Sequence, residues 1–246
     1  MSGPPLLAVD AGNTDTVIAV FDGADMAAQR REPTAGRPEA ERLVRAVVAE
    51  SGLRPGATVV STPGEQLDDA YRALIPELLG HSPLLVDGGS TGPDRLANCA
   101  AAHALVGGAC IVCDLGTATT VDAVDAAGEF LGGAIAPGLV VAMRALAEHA
   151  LRLVPIDLQA PRQAIGRHTV EAMRSGSVLG HAGLLDGLVQ RFREELGEPV
   201  PALATGGLAA LVVPHCREVE RIEPALTLDG LRLLWELSEA SSQPPG

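Results

Sequence analysis

Two stretches of the sequence combine residue types that can bind a phosphate group. One is LLAVDAGNTDTVIAVFD at 6–22, and the other is CIVCDLGTATTVD at 110–122. In each, an apolar run ends at an aspartate, a glycine permits a sharp turn, and threonines lead into a second apolar run, as in two strands joined by a tight bend. Backbone N–H groups and hydroxyls at such a bend can surround a phosphate, and the neighbouring carboxylate can hold the phosphate's metal through water.

The two stretches are copies of one pattern. Residues 6–22 align with 110–126 without a gap, and the identical pairs include Asp10 with Asp114, Gly12 with Gly116, Thr16 with Thr120, Val17 with Val121 and Val20 with Val124. Two buried hairpins that happen to share glycine turns would explain either stretch alone. The gapless pairing favours a duplicated domain with a ligand held between the copies.

Composition limits the function classes open to the chain. It has 246 residues, 47% of them hydrophobic, enough for one large or two small domains. The net charge of −13 argues against nucleic acid or an anionic membrane as partner. All 18 basic residues are arginines, which excludes P-loops, protein-kinase sites and Schiff-base chemistry because each needs a lysine. A phosphate site here must use backbone N–H groups, hydroxyls, arginine and a metal ion.

The cysteines and the apolar runs predict a reduced, cytoplasmic protein. Cys110 and Cys113 have the spacing of a redox or zinc motif, but positions three apart on a strand face opposite sides and no second pair follows. With Cys99 and Cys216, they are expected to be reduced core thiols. The sequence shows no basic amino-terminal region with an apolar core and no apolar run long enough to cross a bilayer.

The segments around the hairpins predict an α/β chain. In the first half we expect a third strand ending at Arg31, a loop at 32–37, and helices and strands at 38–50, 57–61, 66–79, 84–86 and 93–105. Asp94 at the start of the last helix is expected to be a helix cap, and Arg95 a solvated residue.

The second half carries two glycine patterns. A strand that ends in GGAIAPG (132–138) and a helix at 139–151 precede a long helix at 169–196, whose four glycines (Gly176, Gly180, Gly183, Gly187) share one side. That side permits close packing, either inside the chain or against a second subunit. Thr205-Gly206-Gly207 is either a plain turn or a backbone surface for a ring or ribose. Thr227 is expected to cap the final helix, and SSQPPG (241–246) to be disordered.

The chain as a whole resembles the type III pantothenate kinases, members of the acetate kinase, sugar kinase, Hsp70 and actin superfamily. The matching motifs occur in the family's order over nearly the whole chain: DAGNTDT, GPDR, DLGTATT, GGAIAPG, GRHTVEAMRSG, ATGGLA and LTLDGLRLLWE. The resemblance implies two tandem ribonuclease H-like domains, at 1–106 and 107–246, with an ATP cleft between them. It also implies a homodimer.

The resemblance assigns roles to both hairpins. It implies that ATP, with Mg²⁺, is bound by Thr117, by Gly206 and Gly207, and by the first bend, which comprises Asp10, Ala11, Gly12, Asn13, Thr14, Asp15, Thr16 and Val17. Asp114 matches the position associated with a monovalent cation, K⁺ or NH₄⁺.

The resemblance also assigns the phosphoryl acceptor, pantothenate. Asp94 matches the proton acceptor, Gly92, Pro93 and Arg95 match residues around the pantothenate, and Thr169 matches a substrate contact made from the partner subunit. Phosphoryl transfer to a primary alcohol needs a carboxylate that takes the hydroxyl proton. A helix start beside an arginine favours the ionised form of Asp94, which makes a base the stronger interpretation over a cap.

One departure from the family pattern leaves alternatives open. In the family, a longer connection with an aromatic residue that contacts pantothenate precedes the Gly-x-Asp-Arg motif, whereas residues 87–91 here lead into it directly. Tyr71, the sole tyrosine, does not match that aromatic residue, and Pro93 stands where small residues are usual. The alternatives to a pantothenate kinase are a non-catalytic nucleotide-binding accessory protein and a kinase of another small alcohol.

Overall fold

The computed structural model describes residues 3–150 and 153–242. The chain forms two units: one takes the chain up to Ala101 together with the part from Leu226 onward, and the other runs from Ala102 to Ala225. The sequence predicted a boundary between residues 106 and 107, with the final helix in the second domain. The structure groups that helix with the first unit, because it packs on the first unit's strands.

The first unit is a five-stranded mixed sheet with helices on both faces. Its elements are β1 (Leu6–Ala11), β2 (Asp15–Asp22), β3 (Asp25–Pro33), α1 (Arg37–Ser51), β4 (Ala57–Ser61), α2 (Glu65–Leu79), β5 (Leu84–Leu85), the start of α3 (Pro93–Val106), and the last helix, α7 (Leu226–Ser242). The strand order is β3-β2-β1-β4-β5. β1, β2 and β3 are antiparallel, whereas β4 and β5 run parallel to β1.

The side chains of β1 point alternately to the two faces of the sheet and so contribute to two cores in this unit. Leu7 and Val9 pack with α1 and α2 on one face, while Leu6 and Ala8 pack with α3 and α7 on the other. Successive strand residues point to opposite faces, so a strand covered on both sides is apolar throughout. This explains the unbroken apolar run that precedes the first bend.

The second unit repeats the architecture of the first. Its elements are β6 (Cys110–Leu115), β7 (Ala118–Val124), β8 (Phe130–Pro137), α4 (Leu139–His149), α5 (Thr169–Leu196), β9 (Ala202–Thr205), α6 (Ala209–Val212), a 3₁₀ turn (Val213–His215) and β10 (Arg221–Ile222). The strand order is β10-β9-β6-β7-β8, with an antiparallel β6-β7-β8 meander and parallel β9 and β10. Each hairpin is therefore the first strand pair of its own sheet, which confirms the predicted duplication.

Several element boundaries differ from the sequence prediction. β3 continues to Pro33 because it pairs with β2 along its length, so the loop expected at 32–37 begins later. α4 ends at His149, and the predicted end near Leu151 lies outside the described residues. Residues 241 and 242 of the expected disordered tail continue α7, and the rest of the tail lies outside the described residues. Within residues 3–150 and 153–242, no helix is both long and apolar enough to span a bilayer.

The four glycines of α5 lie on a side of the helix that the other described residues leave open. Gly176, Gly180 and Gly183 are exposed, and Gly187 is half-buried. A Cβ atom added at any of the four would meet nothing within 4 Å among the described residues. Packing inside the chain, one of the two interpretations of this pattern, is therefore wrong.

The cysteines are free thiols, as the sequence predicted. Cys99, Cys110 and Cys113 are buried, and Cys216 is half-buried. Burial raises the pKa of Cys110 to about 11 and that of Cys216 to about 12. Both thiols therefore stay protonated, and unreactive, at neutral pH.

Candidate functional site

The bend of the first hairpin is an exposed stretch of backbone. Ala11 pairs with Thr16 at the end of the β1-β2 ladder, and the Gly12 N–H donates to the Asp15 carbonyl at 2.9 Å. Asn13 and Thr14 at the tip are exposed. A bend that presents main-chain groups to solvent is what anion binding by backbone amides requires.

The residues beside the bend divide into accessible carboxylates and buried side chains. Asp10 and Asp15 are half-buried, and Asp15 Oδ2 lies 3.4 Å from Arg31 Nη1. Three residues of the predicted ATP segment have buried side chains: Ala11, Thr16 and Val17.

The sequence reasoning missed a residue that holds this bend. Thr34 was placed in a loop, but its backbone N–H donates to the Thr14 carbonyl at 2.8 Å and its hydroxyl donates to the Gly12 carbonyl at 2.7 Å. Its hydroxyl also lies 3.0 Å from that of Thr16, which hydrogen-bonds the buried Tyr71. No local pattern marks this role, because Thr34 and Tyr71 reach the bend only through the tertiary fold.

The bend of the second hairpin is packed against the start of α4. Leu115 pairs with Thr119, and the Gly116 N–H donates to the Ala118 carbonyl at 3.0 Å. The Gly138 N–H donates to the carbonyl of the exposed Thr117 at 3.1 Å. A Cβ on Gly138 would lie only 2.3 Å from that oxygen. Because Gly138, at the end of the GGAIAPG motif, has no side chain, its backbone can lie in direct contact with the second bend.

Asp114 lies against the Thr-Gly-Gly turn. Gly206 has φ +93°, and a Cβ there would come within 2.5 Å of Asp114 Oδ1. The sequence suggested that Gly206 makes room for a ring or ribose. In the structure, Gly206 also makes room for the Asp114 carboxylate, which a side chain at this position would contact. Gly207 is exposed beside it.

Thr120 supplies a second oxygen next to Asp114. The two residues are paired across the β6-β7 ladder and so lie on the same sheet face. The Thr120 hydroxyl is buried and has no hydrogen-bond partner among the described residues. A carboxylate and an unsatisfied hydroxyl are oxygen donors of the kind that hard cations take.

His181 of α5 ties the second hairpin to β8, and the sequence reasoning missed it. Its Nε2 lies 3.3 Å from the Thr119 hydroxyl, and the ring also hydrogen-bonds the Pro137 carbonyl. A carbonyl accepts only, so a ring N–H faces Pro137, and the other nitrogen of the neutral ring can accept from Thr119. Burial lowers the pKa of His181, which favours this neutral form.

Asp94 stands in the first turn of α3 and is not its cap. The Arg95 and Leu96 N–H groups donate to the Gly92 carbonyl, so the helix starts at Pro93, where a missing N–H costs nothing. A Cβ on Gly92 would lie 2.4 Å from Asp94 Oδ1, so the glycine makes room for the carboxylate. Asp94, Pro93, Gly92 and Arg95 are all half-buried.

The segment before α3 is a tight turn. The Thr91 N–H donates to the Gly88 carbonyl at 2.8 Å, the Gly89 N–H donates to Asp87 Oδ1 at 2.8 Å, and Gly89 has φ +55°. A Cβ on Gly88 would overlap the Thr91 carbonyl. The short connection noted in the sequence is thus a compact glycine-dependent turn.

Thr169 is the exposed first residue of α5. The loop before it packs on the helix: a Cβ on Gly166 would lie 2.3 Å from the Ala172 N, and Ser175 Oγ donates to the Ala164 carbonyl at 2.6 Å. These contacts orient the GRHT motif and leave Thr169 accessible.

The predicted site residues are divided between the two units. The first unit holds the Asp10–Thr16 bend and the Gly92–Arg95 turn, and the second holds Asp114, Thr117 and the Gly206 turn beside one another. Among the described residues, no three His, Cys, Asp or Glu side chains are grouped so as to hold a metal ion.

Comparison with other sequences identifies a family that shares these motifs. The family model described as type III pantothenate kinase matches residues 6–191. A type III pantothenate kinase of Frankia alni is 44% identical, with 94% of this chain and 98% of that protein covered. One of Thermomicrobium roseum is 40% identical, with 94% and 96% covered. The likeness therefore extends well beyond the two bends.

Solved structures show the same fold. Component A of the (R)-2-hydroxyglutaryl-CoA dehydratase of Acidaminococcus fermentans matches with a TM-score of 0.62 at 15% identity, covering 94% of this chain and 97% of that chain. A ROK hexokinase of Thermus thermophilus matches with a TM-score of 0.57 at 17% identity, covering 96% and 99%. With the two repeated sheets, these matches confirm two tandem ribonuclease H-like domains.

Proposed function

This chain belongs to the type III pantothenate kinase family, and we propose that it transfers the γ-phosphoryl group of ATP to pantothenate, forming 4'-phosphopantothenate for coenzyme A synthesis. The observation that carries the proposal is the duplicated bend, with Asp10 and Asp114 at equivalent positions of two like sheets. Family membership supplies the acceptor, and the absence of lysine from the sequence is consistent with binding through main-chain amides.

In this proposal Asp94 takes the proton of the pantothenate hydroxyl. Its position in the first turn of α3, where Gly92 leaves room for the carboxylate, supports the role. Gly92, Pro93 and Arg95 surround the acceptor, and Thr169 contacts it from the partner subunit.

We assign ATP to both hairpins. The N–H groups and hydroxyls of the Asp10–Val17 segment bind the phosphates, Thr117 assists them, and Gly206 and Gly207 bind the nucleoside. Mg²⁺ would arrive with the phosphates and be held by Asp10 through water, which agrees with the lack of a three-ligand cluster in the described part of the chain. When bound, Mg²⁺ would neutralise part of the negative charge of the phosphates.

Asp114 and Thr120 fit the monovalent cation that the family resemblance implies. The carboxylate lies beside a hydroxyl that no described residue satisfies, and both are on one sheet face. In the proposal these two oxygens hold K⁺ or NH₄⁺, whose charge offsets that of the phosphates.

We further propose a homodimer formed through the glycine side of α5. The exposed glycines of that helix support it, as do exposed apolar side chains on β8, α4 and α5: Leu131, Ile135, Val141, Leu146 and Val170. Sedimentation should show a dimer for the wild type and a folded monomer for Gly180→Leu, which adds bulk where one chain has free space. A monomeric wild type contradicts the dimer. The cytoplasmic location expected from the sequence stays a prediction.

The central experiment is an ADP-release assay with purified protein, ATP, Mg²⁺ and K⁺, with and without pantothenate, and with mass spectrometry of the product. We expect ADP release that depends on pantothenate, and phosphopantothenate as the product. The tight turn at 88–91 favours one competing outcome, turnover with another small alcohol, which a panel of acceptors would reveal. Nucleotide binding without turnover on any acceptor would indicate the non-catalytic accessory protein.

A further inference from the structure

Thr34 is the end of a one-directional chain of hydroxyl groups. A threonine hydroxyl has a single proton, and that of Thr34 goes to the Gly12 carbonyl at 2.7 Å. The 3.0 Å contact between the two threonine hydroxyls must then be donated by Thr16. Thr16 and Thr34 thus deliver one directed hydrogen bond to the bend.

Thr34 donates hydrogen bonds to two carbonyl oxygens of the bend, so both carbonyls point toward Thr34. Its hydroxyl binds the Gly12 carbonyl, and its N–H binds the Thr14 carbonyl at 2.8 Å. In a planar trans peptide the carbonyl and the following N–H point in opposite directions, and the chain has no cis peptide among its described residues. The N–H groups of Asn13 and Asp15 are therefore directed away from Thr34.

The second hairpin forms without this device. Thr120, which aligns with Thr16, has no hydrogen-bond partner among the described residues, and the second bend is held by Gly138 instead. A hairpin of this kind therefore does not need the hydroxyl chain in order to fold. The chain is a separate feature of the first bend.

We propose that Thr34, backed by Thr16, is a positioning residue for nucleotide binding: it turns the Asn13 and Asp15 N–H groups toward the phosphates of ATP. The inference rests on the proposed function, since it takes the first bend as the phosphate site. Thr34 itself need not touch the nucleotide.

Thr34→Val tests the proposal, because valine keeps the shape and the backbone bond to Thr14 but removes the hydroxyl. We expect the KM for ATP and the Kd for ADP, from calorimetry, to rise about five- to tenfold, as one lost hydrogen bond predicts. The KM for pantothenate should stay the same, and Thr34→Ser should restore the wild-type values.

Thr58→Val is the matched control. Thr58 is buried in β4 of the same sheet, and its hydroxyl lies 2.8 Å from His81 Nε2, so the substitution removes a comparable bond away from the bend. Both valine variants should lower the unfolding temperature, and only Thr34→Val should weaken nucleotide binding. Equal effects of the two valine variants on ADP affinity, or no effect of Thr34→Val, would overturn the proposal. A wild type that binds ADP without pantothenate turnover would contradict the proposed function, and the ADP comparison would still decide the role of Thr34.

Discussion

The Thr227 hydroxyl in α7 donates a 2.8 Å hydrogen bond to Asn98 Oδ1 in α3, one turn beyond Asp94. Asn98 is fully buried, and the sequence had assigned Thr227 a helix-capping role instead. Next to this bond, a Cβ on Gly230 would lie 1.9 Å from the Ala97 carbonyl oxygen. The last helix therefore supports the helix that carries the proposed base.

The close approach of α7 to α3 predicts that Gly230→Ala destabilises the protein. The added methyl group cannot fit against the Ala97 backbone, so the helices must separate, at a cost of about 1–3 kcal/mol. Urea unfolding would measure this. Gly108→Ala is the control, since a Cβ there meets nothing within 4 Å, and it should leave the free energy of unfolding nearly unchanged. Equal stability of the two variants would contradict the close contact.

The role of Asp94 predicts that Asp94→Asn lowers kcat by about 10²- to 10⁴-fold, the usual contribution of a general base. The amide keeps the size of the side chain, so nucleotide affinity and unfolding temperature should change little. Asp87→Asn removes a charge seven residues earlier and keeps the Oδ1 acceptor for Gly89, so it should stay near wild-type activity. An Asp94→Asn variant with full turnover would rule out Asp94 as the base.

The proposed cation site predicts that Asp114→Asn weakens the response to potassium. A neutral amide attracts a cation less than a carboxylate does, and we expect the half-activating K⁺ concentration to rise about tenfold or more. KCl titrations of the ADP-release rate, with NaCl at constant ionic strength, would measure it. Asp125→Asn is the control, because Asp125 serves only as an acceptor for turn N–H groups in the contacts seen. Unchanged potassium dependence in Asp114→Asn would exclude the site.

Burial of His181 predicts a loss of stability at acidic pH. The pKa of His181 is lowered in the folded chain, so below pH ~6.5 the unfolded chain binds a proton that the folded chain resists. Its contribution is complete above pH ~6.5 and declines as pH falls, by at most about 1.4 kcal/mol per pH unit. His181→Gln cannot titrate, so its free energy of unfolding between pH 7 and 5 should fall less steeply. Parallel pH profiles of the two proteins would contradict this.

The sequence alone determined both bends, their duplication and the long helix α5. These features are local: an apolar run that ends in Asp-x-Gly, or a helical periodicity over 169–196, fixes backbone geometry among near neighbours. The motifs GPDR and ATGGLA likewise marked Asp94 and Gly206 without any structure.

Only the tertiary structure decided which distant residues meet. Four relationships join residues that lie apart in the chain: the packing of α7 in the first unit, the hydrogen bond of Thr34 to Gly12, the closeness of Gly206 to Asp114 and the hydrogen bond of His181 with Thr119. Such contacts depend on how sheets and helices pack, and packing selects partners by shape and hydrogen bonding rather than by sequence spacing. That is why local patterns could predict candidate site residues but not the residues that hold them.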